Sequence, residues 1–141
     1  MADIPLPNAS HRSGAGLTRA QIGRLAAIGV IVWFLGALAL RFLAPLGIYD
    51  GLGRVVLYVL MIPALFPVIY FLPQLAGISR NKIALGTSFA TAAAVMMDGL
   101  ALAWFPVLYG DTTAHHAGAG AAILWGGGAG IFLAFLLNRA Q

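Results

Sequence analysis

Asp98 is the only carboxylate inside any of the four long apolar stretches of this chain. It lies in Ala94-Val95-Met96-Met97-Asp98-Gly99-Leu100, within an apolar run from Ile83 to Leu108. A charge in such surroundings is costly and is retained for pairing or for function. Two readings are open. As a strut, Asp98 would pair with Arg41. At 1.5 Å per helical residue Asp98 stands roughly 22 Å above Ile83 and Arg41 roughly 25 Å above Arg24, with Arg54 slightly higher at the start of the second helix. A buried pair of this kind adds little net stability but is costly to break from one side. As a protonatable group, Asp98 would instead lie on a proton or cation path, with Thr87, Ser88 and Thr91 as its clear polar companions.

Other chemistry is sparse. Asp111, His115 and His116 form Asp-x-x-x-His-His, whose first two members share a face if helical and would suit an oxygen and nitrogen metal site. Two or three ligands beside a glycine-rich segment read more simply as loop histidines, so no metal site is expected. The only other histidine, His11, lies near the N-terminus, which leaves no histidine pair to hold a haem within a bilayer. No Ser/His/Asp or Cys/His arrangement and no pair of catalytic carboxylates is present, so neither an enzyme nor a cofactor is expected. Trp125-Gly126-Gly127-Gly128-Ala129-Gly130 mimics a phosphate loop but lacks its Lys-Ser/Thr and preceding strand, and reads as a helix-contact surface.

The elements that must position these residues follow from composition. Of 141 residues, 61% are hydrophobic and 9% charged, with a mean hydropathy of +0.93, which belongs to a membrane protein. The net charge of +4 reflects basic residues flanking apolar spans rather than a stripe interleaved with aromatics, so nucleic acid is not an expected partner. Without cysteine there is no disulfide or thiolate site. The pattern predicts an all-α fold, a four-helix transmembrane bundle in up-down-up-down order, with helices at about 22–44, 55–76, 83–108 and 117–137, each near the roughly 20 residues a bilayer requires. Residues 1–17 carry Pro, Gly, Ser and Asn without periodicity and read as a flexible tail, and 18–141 as a single domain. Thr18-Arg19-Ala20-Gln21 fits a capping box that starts the first helix. A cleaved signal peptide ending at Ala37-Leu38-Ala39 is the competing reading. The apolar stretch running on through Phe42-Leu43 and the long preceding tail favour an uncleaved anchor.

Three short connections, 48–51, 77–82 and 110–113, carry turn residues and imply antiparallel sequence neighbours. One side then holds Arg12, Arg19, Arg24, Arg80, Lys82 and Arg139, and the other only Arg41 and Arg54, offset by Asp50 and Asp111. Both termini are therefore expected in the cytoplasm. Gly86, Ala90, Ala94 and Asp98 recur every fourth residue, as do Gly118, Ala122, Gly126, Gly130 and Ala134. Small residues at this spacing let helices approach closely, and the two stripes are expected to face each other. Pro63, Pro67 and Pro73 push the second helix toward a kink, an ordinary feature of membrane helices and sometimes part of a transport path. Residues 42–50 and 104–111 both run aromatic, proline, aliphatic, tyrosine, aspartate, which would match a two-plus-two duplication.

The segment from Met96-Met97-Asp98-Gly99-Leu100 through Trp104-Phe105-Pro106-Val107-Leu108-Tyr109, followed by Ile123-Leu124-Trp125-Gly126-Gly127-Gly128-Ala129-Gly130, resembles the second half of a family of small bacterial four-helix membrane proteins of unknown function. The resemblance implies the fold and a bacterial inner-membrane setting, and brings no activity with it. Small multidrug transporters are similar in size and helix count, but their acidic residue belongs to the first helix, where this chain has none. Two function classes remain. One is a non-enzymatic membrane module or accessory subunit, whose partners are the bilayer and a second copy or larger membrane complex. The other is a proton-coupled small-solute carrier working as an oligomer around Asp98.

Overall fold

The computed structural model describes residues 16–138, which fold as four helices joined by short connections: α1 (Arg19–Leu43), α2 (Gly51–Ala76), α3 (Ile83–Trp104) and α4 (Thr113–Leu137). All four are long and apolar enough to cross a membrane. Residues 1–15, most of the expected tail, and Arg139 lie outside the described residues, as does Arg12. The start of α1 is fixed by the expected box: Gln21 N donates to Thr18 Oγ1 at 3.3 Å, and Thr18 N donates to Gln21 Oε1 at 2.9 Å. Gln21 Nε2 also donates to the Gly77 carbonyl at 2.7 Å, tying the start of α1 to the end of α2.

Helix limits differ from expectation where turn chemistry overrides hydropathy. The third helix was expected to reach residue 108 but stops at Trp104. Pro106 cannot donate and disfavours helical geometry at Phe105, which adopts φ −134°, ψ 50°. A 3₁₀ turn over Pro106–Tyr109 follows, closed by Gly110 at φ +142°, a conformation open essentially to glycine alone. Helix α4 starts four residues earlier than hydropathy suggested, because Thr112 Oγ1 accepts from His115 N at 3.2 Å. Helix α2 also starts early, at Gly51, and remains one continuous α-helix through Pro63, Pro67 and Pro73. The prolines do not break it.

The packing order is the larger surprise. Helices α1 and α2, neighbours in sequence, barely touch, and the bundle runs α1, α3, α4, α2. Leu25 meets Gly86, and Gly29 meets Ala90, so α1 and α3 lie parallel. Met61 meets Gly126 and Leu65 meets Gly130, so α2 and α4 are parallel too. Helices α3 and α4 are antiparallel, with Leu102 beside Gly120 and the Ala84 amide bonded to Asn138 Oδ1 at 3.3 Å.

This corrects the expected facing of the two small-residue stripes. The stripe of α3 faces α1 and the Leu72 and Ile78 side chains, while that of α4 faces α2 and Tyr49. Between α3 and α4 the contact runs instead through Gly127, whose would-be Cβ lies 3.4 Å from Thr91 Cγ2 and 3.8 Å from Val95 Cγ2. At Gly29 a Cβ would strike the Ala90 carbonyl oxygen, so glycine is what brings α1 against α3. Ala122 is fully buried and Ala94 half-buried. The glycine-rich segment of α4 is helix throughout and accommodates Met61 and Leu65, with no phosphate-loop geometry.

The bundle buries small side chains and turns large ones outward: Ala37, Ala76, Ala119 and Ala134 are sealed, while Phe42, Leu52 and Leu124 are more than 70% exposed. That inversion suits a hydrocarbon solvent, in which close backbone packing, not apolar burial, holds helices together. The similar stretches at 42–50 and 104–111 fold alike, each a proline-opened 3₁₀ turn with a buried tyrosine (Tyr49, Tyr109). Their halves pack in parallel, α1 on α3 and α2 on α4.

Candidate functional site

Asp98 lies six residues before the end of α3, roughly 9 Å of helix. It is 8% exposed. The chain reversal at Pro106 carries Tyr109 back into the bundle, where it is fully buried. Its hydroxyl donates to Asp98 Oδ1 at 2.5 Å and accepts from Trp33 Nε1 at 3.0 Å. Three elements thus meet at one phenolic oxygen: α1 through Trp33, α3 through Asp98, and the turn through Tyr109. Burial, and then the hydrogen bond to Asp98, push the Tyr109 phenol above its ordinary range, so it keeps its proton and remains a donor.

The expected Asp98–Arg41 pair does not form. Arg41 reaches over the end of α1 to the reversing chain, where Nη1 donates to the Val107 carbonyl and Nη2 lies 3.3 Å from Asp111 Oδ1. Helical counting placed Arg41 and Asp98 at similar depth, but it assumed a third helix running straight to residue 108. Because α3 ends at Trp104, residues 107–111 fold over α1 and supply Arg41 with a nearer carboxylate and a carbonyl. Arg54 is elsewhere again, donating through Nε to the Tyr49 carbonyl at 2.7 Å across the α1–α2 corner.

The other candidates are dispersed. Thr87 is buried with its Oγ1 unpartnered, eleven residues or roughly 16 Å along the helix from Asp98. Thr91 packs its methyl on Gly127. Among the described residues no hydrogen-bonded line joins these hydroxyls to Asp98. Asp111 is engaged by Arg41, His116 Nε2 bonds the Gly110 carbonyl at 2.9 Å, and the His115 ring lies 6.0 Å from that of Tyr49. No group of three potential metal ligands forms among the described residues.

Two recesses open at this end. An apolar groove of about 450 Å³ runs along Trp33, Arg41, Phe105 and Val107, beside the Asp98 cluster. A second cleft, of about 370 Å³, lies between the starts of α2 and α4. Sequence reasoning overlooked Trp33 and Tyr109, the two partners that define the Asp98 site. The available signal was the tyrosine common to the two similar stretches, together with an indole in the middle of the first span, where its N–H needs an acceptor. Comparisons with protein-family models, with curated proteins and with solved structures found no match to this chain.

Proposed function

We propose that this protein is a small multi-pass protein of the bacterial inner membrane, both termini cytoplasmic, acting as a non-enzymatic module or accessory subunit in a larger membrane assembly. The observation that supports this most directly is the Trp33–Tyr109–Asp98 network. A carboxylate held by an adjacent phenol, itself held by an indole, is a joint between α1, α3 and the reversing turn. The second joint, Arg41 with Asp111 and the Val107 carbonyl, fastens the same turn from outside. Polar side chains used in this way rigidify a bundle. At the opposite end Arg19, Arg24, Arg80 and Lys82 stand with no acidic residue among the described residues, which suits a cytoplasmic face.

The test is the size of the complex extracted from native membranes, compared between wild type and Tyr109→Phe. A module predicts co-extraction with a defined partner set that is lost or weakened when the joint is cut. Recovery of the wild-type chain alone, with no partner or second copy, would sink the reading.

A second reading, a proton-coupled small-solute carrier, has one observation in its favour: Asp98 has no cation within ion-pair distance among the described residues. In that case Asp98→Asn would keep assembly and stability intact while abolishing solute uptake into proteoliposomes.

A further inference from the structure

The charges at the far end of the bundle fall into two groups. Arg41 and Asp111 pair, and theirs is the only ion pair among the described residues. Asp50 and Arg54 line one cleft together and do not pair, although a separation of four residues at a helix start normally lets opposite charges meet. Asp50 occupies the N-cap position of α2, yet its carboxylate caps no amide. Arg54 commits only Nε, to the Tyr49 carbonyl, and its two terminal nitrogens have no partner among the described residues. Both charges are therefore held at one recess with their binding capacity unspent.

Tyr49, Tyr58 and His115 line the rest of the cleft, with the small side chains of α4 as its floor. Tyr49 packs its ring onto Gly118, where any Cβ would lie 2.5 Å from Cγ, and burial pushes its phenol up to about 12, so it is an uncharged wall. Tyr58 stacks on Trp125 with ring centroids 5.4 Å apart, and Trp125 Nε1 donates to the Tyr58 carbonyl at 3.1 Å, which fixes both rings. Trp125, through its stack on Tyr58, borders the cleft, and it is exposed, as are Val55 and Val59, which follow Arg54 and Tyr58 in sequence on α2.

We propose that this cleft holds the phosphoethanolamine headgroup of a membrane lipid. The phosphate sits on the free guanidinium nitrogens of Arg54, the ammonium meets the Asp50 carboxylate, and the acyl chains descend along Val55, Val59 and Trp125. A simple anion would be repelled by Asp50 and a simple cation by Arg54. A ligand carrying both charges satisfies each. Arg suits phosphate because its planar fork donates two parallel bonds, and a volume of about 370 Å³ is in the range that small headgroups fill. The apolar wall beside the charges favours a lipid over a free zwitterion. The proposal depends on the membrane-spanning fold and is independent of the role of Asp98.

The test is native mass spectrometry of the full chain in mild detergent, with phosphatidylethanolamine and phosphatidylglycerol added in equal amounts. Wild type should retain the ethanolamine lipid roughly tenfold more, the loss expected for one charge-assisted bond. Asp50→Asn, at an exposed carboxylate with no structural bond, should bring that ratio near one while keeping total occupancy. Arg54→Gln should lose both lipids, with circular dichroism confirming that the helices remain. Equal retention of the two lipids by wild type, or an unchanged ratio in Asp50→Asn, would overturn the proposal. Displacement of the lipid by an equal concentration of acyl-free glycerophosphoethanolamine would overturn the lipid assignment in favour of a soluble zwitterion.

Discussion

Tyr109→Phe isolates the joint at Asp98, because it removes one oxygen and leaves the buried ring in place. It strands two groups, Asp98 Oδ1 and Trp33 Nε1, which now face a ring C–H in place of the hydroxyl that bonded both. Hydrogen bonds between membrane helices average about 0.6 kcal/mol and reach about 1.7. Assigning the upper figure to the short carboxylate bond and the average to the indole bond gives a loss of about 2 kcal/mol. Reversible unfolding by sodium dodecyl sulfate in mixed micelles, followed by circular dichroism, measures it. The sharper form is a double-mutant cycle. Asp98→Leu with Tyr109→Phe should show a coupling of about 1 to 2 kcal/mol, since the second change removes a group already stranded by the first. Asp98→Leu with Arg41→Leu should be additive within about 0.5 kcal/mol, since Arg41 bonds Asp111 and Val107 instead. Coupling at Arg41 and none at Tyr109 would refute the site as described.

Glycine substitutions should rank by what the new side chain meets. Gly29→Ala strikes the Ala90 backbone and should cost more than Gly126→Ala, which meets only the flexible Met61 methyl at 2.5 Å, while Gly128→Ala, in open space, should be neutral in the same unfolding assay. Gly110→Ala should destabilise by about 1 to 3 kcal/mol, because φ +142° is strained for any other residue and the His115 Cβ lies 2.6 Å from the new methyl; wild-type stability would contradict the described turn. Tyr49 predicts an alkaline effect: its folded pKa of about 12 exceeds the ordinary 10, so its stabilising contribution is complete below about pH 10 and is lost as pH rises through 12. Absorbance titration against Tyr49→Phe should show that late phenol. A fusion reporter at Gln141 should read as cytoplasmic, and a periplasmic signal there would reject the proposed orientation.

The sequence by itself determined that four helices form and roughly where. Hydrophobic length, the Thr18–Gln21 box and the glycines beyond the spans are local signals, and local signals survive without knowledge of neighbours. It also marked Asp98, since a lone carboxylate in an apolar run is conspicuous in one dimension. Which helix meets which was left to the tertiary structure. Short loops suggested that α1 and α2 would be partners, but close backbone approach decides packing in lipid, and Gly29 against Ala90 brings α1 to α3 instead. The same limit hid the partners of Asp98. Helical counting gave depth but not azimuth, and it ran the third helix past Pro106. Once the chain turns back there, Tyr109 arrives beside Asp98, Asp111 arrives beside Arg41, and two charges that matched in depth have no reason to meet.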